Sequence, residues 1–166
     1  MQKITSARTS RKQVPAVIKV IEWNPRSVNL DIGGGRYDDS SIYLKRFKVT
    51  NYVYDPFNRT LEHNQMVMKK IIAHSGADSV TLMNVLNVIK RPQDRKAVLR
   101  LAWSTLKSGH PIYVGIYEGD KSGDGKKTRD GWQENRKTST YVPEVGRFFK
   151  IVKTTARYIV GKRSKP

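Results

Sequence analysis

Cysteine is absent from the 166 residues, which excludes disulfides, thiolate metal sites and any chemistry that uses a cysteine nucleophile. No apolar run approaches the roughly eighteen residues that a membrane-spanning helix needs, so no membrane partner is expected. Acidic side chains are scarce, with 14 Asp and Glu against 32 Lys and Arg, a formal net charge of +18. The three histidines, His63, His74 and His110, have no metal-ligand spacing, and no metal site is expected. Residues 1–13 are polar and basic without the apolar segment of a secretory signal, so a cytoplasmic location is expected.

The most informative segment present is Leu30-Asp31-Ile32-Gly33-Gly34-Gly35-Arg36, an apolar run that breaks into three glycines. Glycine turns sharply and lets backbone N–H groups approach a ligand where a Cβ would intervene. A second acid, Asp55, follows in Tyr54-Asp55-Pro56 at the end of the next predicted strand. An acid there can accept hydrogen bonds from ribose hydroxyls, so the pair reads as a nucleotide-cofactor pocket. Where a dinucleotide site wants a third glycine, the chain has Asp38 followed by Asp39. Those carboxylates suit a helix N-terminus but repel a pyrophosphate, which favours a phosphate-free, cationic cofactor such as S-adenosylmethionine.

Hydrophobic content of 37% suffices for one domain, expected over residues 14–160, between a basic arm at 1–13 and a basic tail at 161–166. Residues 14–21 predict a short helix, and Val28 to Ile32 the first buried strand. Asp38 or Asp39 can cap a helix whose apolar side includes Ile42, Leu44 and Phe47. A strand ends at Asp55, and a helix over 58–74 carries Leu61, Met66, Val67, Ile71 and Ile72. A third strand at 79–83, a helix at 94–107 and a fourth strand at 111–117 follow. Residues 142–152 predict a helix, and 157–160 a last strand. Alternation of this kind implies an α/β fold with a mostly parallel sheet and helices on both faces.

Residues 119–140 lack apolar periodicity and leave from the carboxyl end of the fourth strand, the rim where open α/β sheets bind ligands. They read as a flap or nucleic-acid clamp, with Trp132 and Tyr141 placed to stack bases among Lys126, Lys127, Arg129, Arg136 and Lys137. The charge and a pI of about 10.3 point to a polyanionic partner, DNA or RNA.

Several segments together resemble the class I S-adenosylmethionine-dependent methyltransferases. They are Asp31-Ile32-Gly33-Gly34-Gly35, Asp55, Asn84-Val85-Leu86-Asn87-Val88-Ile89 and Leu106-Lys107-Ser108-Gly109-His110-Pro111-Ile112. Residues 31–39, 54–56 and 77–89 also look like methyltransferase-like proteins linked to DNA phosphorothioation and their phage relatives, which implies a bacterial or phage-infected cytoplasm. The resemblance implies a Rossmann-like methyltransferase fold, trimmed of one edge strand because a single helix separates Asp55 from the strand at 79. It implies Asp31 near the methionine amine, Gly33, Gly34 and Gly35 giving backbone access, and Asp55 and Pro56 at the ribose. The acid that approaches the adenine has no clear counterpart, with Asp78 or the backbone near Gly76 as substitutes.

Amino-directed DNA methyltransferases carry a D/N-P-P-Y/F turn where this chain has Asn84 to Asn87. Asn84, also near the cofactor, and Asn87 are therefore the candidate catalytic residues, against the plainer reading that they cap the next turn. With no cysteine, methylation at cytosine C5 is not expected. The leading expectation is a nucleic-acid methyltransferase acting on DNA more readily than RNA. The alternatives are an inactive basic binding module with this fold and a small-molecule methyltransferase.

Overall fold

Val28 to Ile32 forms β1, and all five of its residues are buried. Such a strand lies in the middle of a sheet with both faces covered. The computed structural model describes residues 12–164; most of the expected basic arm and the last two residues lie outside them. The other main strands are β2 (Thr50–Tyr54), β3 (Ser79–Met83) and β4 (Pro111–Gly115), followed by the hairpin of β5 (Lys126–Thr128) and β6 (Gly131–Gln133). The chain then forms β7 (Lys150–Thr154) and β8 (Tyr158–Lys162). The large sheet has the order β2-β1-β3-β4-β8-β7. The pairs β1·β2, β1·β3 and β3·β4 are parallel, while β4·β8 and β7·β8 are antiparallel.

The helices are α1 (Ala16–Val20), α2 (Asp39–Lys45), α3 (Leu61–Ala73), α4 (Pro92–Thr105) and α5 (Val142–Gly146). One face of the sheet packs its main core against α3, α4 and α5, through Val67, Ile71, Leu99, Ala102 and Val145. The other carries a smaller cluster of Ile18, Leu44, Val49 and Met83 beneath α1 and α2. A single helix, α3, links β2 to β3, so the sheet ends at β2, the trimmed edge that the sequence implies.

Three expectations need correction. Ile42 and Phe47 of the second helix are 67% and 42% exposed, and of the five apolar residues whose spacing predicts α3 only Val67 and Ile71 are buried. Both helices cover the sheet with a narrow stripe, because neither has another layer outside it. The helix expected over 142–152 ends at Gly146, and Lys150-Ile151-Val152-Lys153 becomes strand, as its β-branched pair favours. The final strand extends to Lys162, inside the segment expected to be a tail.

Candidate functional site

The chain runs from β1 to its neighbour β2 and then crosses back to β3 on the other side of β1. The carboxyl ends of β1 and β3 therefore flank the crevice where wound α/β sheets take ligands, and Gly33 to Gly35 lie there. Gly33 and Gly35 have φ of +73° and +78°, a conformation that side chains disfavour. A Cβ at Gly33 would also stand 2.6 Å from Val85 Cγ2, and one at Gly34 would stand 2.4 Å from Asp31 Oδ2. The three glycines let this turn lie flat between the exit of β3 and the Asp31 carboxylate.

Asp31 is buried and accepts a 2.7 Å hydrogen bond from the Thr81 hydroxyl. Burial pushes its pKa up to about 6, the Thr81 bond opposes this, and the nearby Asp55 charge adds to it. An acid so placed is poised to ionise when a cation arrives.

Asp55 is also buried, and its carboxylate is fully engaged. Oδ2 accepts from Gly35 N–H at 2.9 Å and from the Asn58 side-chain amide at 3.0 Å. Oδ1 accepts from the Phe57 and Asn58 backbone N–H groups. Asn64 clamps the Asp55 backbone, accepting from its N–H and donating to its carbonyl. Arg59 donates to the Gly35 and Tyr37 carbonyls and pairs with Asp38 at 2.8 Å. That pair offsets part of the negative charge which, in the sequence, argues against a pyrophosphate. Pro56 is exposed beside the turn. The sequence pattern does not single out Arg59, Asn64 or Thr81, because each acts across the tertiary fold on a glycine or an acid.

Asn84 and Asn87 are three residues apart but differ in environment. Asn84 is exposed at the end of β3 with φ +58°, which asparagine tolerates, and its N–H donates to the Gly115 carbonyl. Asn87 is 1% exposed. Its side-chain amide donates to Gln133 Oε1 and its backbone carbonyl accepts from Glu134 N–H, tying β6 to the rim.

The flap is thus a docked hairpin. Lys126 pairs with Asp120, and Lys127, Arg129 and Lys137 are exposed. Trp132 packs against Gly125 and lies beneath the Lys90 ammonium, 4.5 Å from its ring centroid. Arg136 stacks on Tyr141 at 4.1 Å and pairs with Glu144. Tyr141 is fully buried, so it cannot stack a base. Asp78 and Gly76 lie at the amino end of β3, the opposite end of the sheet from the glycine turn, so the fold does not bring either to the rim. Asp78 instead binds Val28 N–H, His74 and Lys107.

The strand order, the switch between β1 and β3 and the glycine rim define the Rossmann-like methyltransferase fold. No family model matches the sequence, and no curated protein does. Solved structures match in fold. An S-adenosylmethionine-dependent methyltransferase from Methanosarcina mazei has a TM-score of 0.64 at 12% identity, over 93% of this chain and 100% of that one. The 1,6-didemethyltoxoflavin-N1-methyltransferase of Burkholderia thailandensis, solved with 1,6-didemethyltoxoflavin and S-adenosylhomocysteine, gives 0.62 at 15% identity, over 86% and 72%. The pyocyanin biosynthetic protein PhzM gives 0.60 at 12% identity, over 89% of this chain and 53% of its own. The chain thus spans about half the length of that protein.

Proposed function

We propose that this chain binds S-adenosylmethionine at the glycine rim and transfers its methyl group to a small-molecule acceptor. The observation that carries the cofactor is Asn58 Oδ1, a buried oxygen with no hydrogen-bond partner among the described residues, beside the Asp55 carboxylate. A ribose hydroxyl can donate to that oxygen, and a shift of the Asn58 side chain frees one Asp55 lone pair for a second hydroxyl. Gly33, Gly34 and Gly35 offer backbone along the cofactor, and ionised Asp31 faces its amino group. Pro56 borders the ribose end.

S-adenosylmethionine supplies an electrophilic methyl group, so the chain's own work is to bind, orient and exclude water. Asn84 presents an exposed amide at the end of β3, where it can orient an acceptor's heteroatom. Asn87 acts indirectly, holding the β5–β6 hairpin against the rim as a roof. A roof tied down in this way suits a compact acceptor. The likeness to proteins named for toxoflavin and pyocyanin chemistry supports the same reading.

A nucleic-acid acceptor is the second reading, favoured by the net charge of +18. Calorimetry with S-adenosylhomocysteine tests the cofactor, and failure to bind at millimolar concentration overturns it. Transfer of labelled methyl groups to aromatic amines and phenols, against DNA and RNA, separates the acceptor classes.

A further inference from the structure

The side of the sheet beneath α1 is covered over β1 and β3, but among the described residues its apolar cluster stops at Tyr113 and includes no residue of β7 or β8. Residues paired directly across antiparallel strands share a face. Pro111 is paired with Lys162, and Lys162 with Lys150. In the next row Tyr113 is paired with Val160, and Val160 with Lys153. Tyr113 and Val160 are half-buried, whereas Lys150, Lys153 and Lys162 are exposed. This half of the sheet presents lysines on β8 and on the edge strand β7, with apolar and aromatic surface beside them on β4 and β8. The Lys153 ammonium stands 5.7 Å from the Tyr158 ring centroid.

At the inner end of these rows lies a cavity of about 310 Å³, formed by the chain before β1 and the starts of β3 and β4. Its walls include Trp23 and Tyr113, whose rings are 6.2 Å apart and inclined at 53°. Of the two acids in the wall, Asp78 is bound by Lys107 and His74, while Glu22 lies at the exposed edge. Arg26 stands exposed at the mouth. Aromatic walls in a recess, continuous with a row of cations, match the two parts of a nucleotide chain.

The geometry points to the β4–β8–β7 face as a docking surface for single-stranded nucleic acid, with phosphates along Lys162, Lys150 and Lys153 and a base in the recess against the aromatic wall of Trp23 and Tyr113. Stacking on aromatic rings beside a basic track is how single strands bind without sequence readout. A duplex keeps its bases in the stack and cannot fill the recess. A second copy of this face would bring like charges together. The surface lies at the amino ends of β3 and β4, away from the glycine rim, so its occupancy does not depend on the methyl-transfer reading.

Anisotropy of a labelled oligo(dT) of about 15 nucleotides, measured without cofactor, tests the proposal. The triple variant Lys150→Gln, Lys153→Gln, Lys162→Gln is compared with Lys126→Gln, Lys127→Gln, Arg129→Gln, which removes the same charge from the hairpin. The sheet variant is expected to lose about tenfold or more in affinity, and its log-log salt slope to fall by about 2. The hairpin variant is expected to stay within about threefold of the wild type. Equal losses in the two variants, or a larger loss in the hairpin variant, overturn the proposal. So does tighter binding of the matching duplex or of anionic phospholipid vesicles. In a Trp103→Phe, Trp132→Phe background, oligo(dT) is expected to quench Trp23 fluorescence; unchanged emission at saturation overturns the recess.

Discussion

The Asp55 carboxylate accepts the Gly35 N–H at 2.9 Å and so fastens the glycine turn after β1 to the end of β2. An acid expected to meet a ligand is already holding the loop that the ligand would touch. In the proposed site, one side chain would serve both binding and loop order.

Asp55→Ala is expected to weaken S-adenosylhomocysteine binding about tenfold or more and to lower the melting temperature, since several N–H groups lose their acceptor. Asn58→Ala instead frees a carboxylate lone pair and removes the unpartnered amide oxygen. Its affinity by calorimetry should fall by no more than about threefold, because it loses one hydroxyl contact and gains another. A tenfold loss in Asn58→Ala with none in Asp55→Ala would reverse the assignment.

Asp31, with its pKa raised to about 6, gives a signed pH dependence. Its folded pKa lies above the unfolded value near 4, so the ligand-free fold loses stability as pH rises from about 4 through 6, on the order of 3 kcal/mol. Cofactor affinity runs the other way, because only ionised Asp31 can pair with an ammonium group. The dissociation constant should fall about tenfold per pH unit below 6 and level off above it. Asp31→Asn should flatten both curves, which calorimetry and thermal melts from pH 5 to 8 will show.

Gly33→Ala meets two obstacles, φ of +73° and the Val85 methyl 2.6 Å from the new Cβ. A destabilisation of about 1–3 kcal/mol is expected from urea unfolding. Adding Val85→Ala should recover the steric part and leave the conformational part. No recovery in the double variant would mean that backbone strain accounts for the whole effect.

Arg95, 3% exposed, donates to Glu144 through Nε and Nη2 and to Glu134, Ile89 and Lys90 through Nη1. Arg95→Met leaves two partly buried carboxylates short of a partner, at an expected cost of about 3–5 kcal/mol. Arg95→Lys cannot reach both acids at once and should recover less than half of it. Hydrogen exchange should show faster opening of β6 in both variants, because Glu134 follows that strand.

Residues 28–32 and 79–83 reveal themselves as strands because Val28, Leu30 and Ile32, and likewise Val80 and Leu82, alternate with polar residues, which the tertiary packing then buries as well. The glycine turn and the acid after β2 are equally legible, since sharp turns and charged strand ends restrict residue type. Lys150 to Thr154 misleads as a helix because five residues hold too little periodicity to separate a strand from the end of a helix. The exposed Ile42, Leu61 and Ile72 mislead for another reason: apolar spacing does not say which neighbours exist to cover it.

Sequence alone determined the α/β alternation, the position of the glycine turn and the excess of positive charge, because each depends on local pattern or on a sum over residues. Only the tertiary structure decided that Asp55 is engaged from within, that Asn84 faces solvent while Asn87 anchors the hairpin, and that Tyr141 is buried. Only the antiparallel return of β8 beside β4 set lysines from two distant strands next to the Trp23 recess. Hydrogen bonds and charge clusters of this kind join residues far apart in the chain, so no local spacing encodes them.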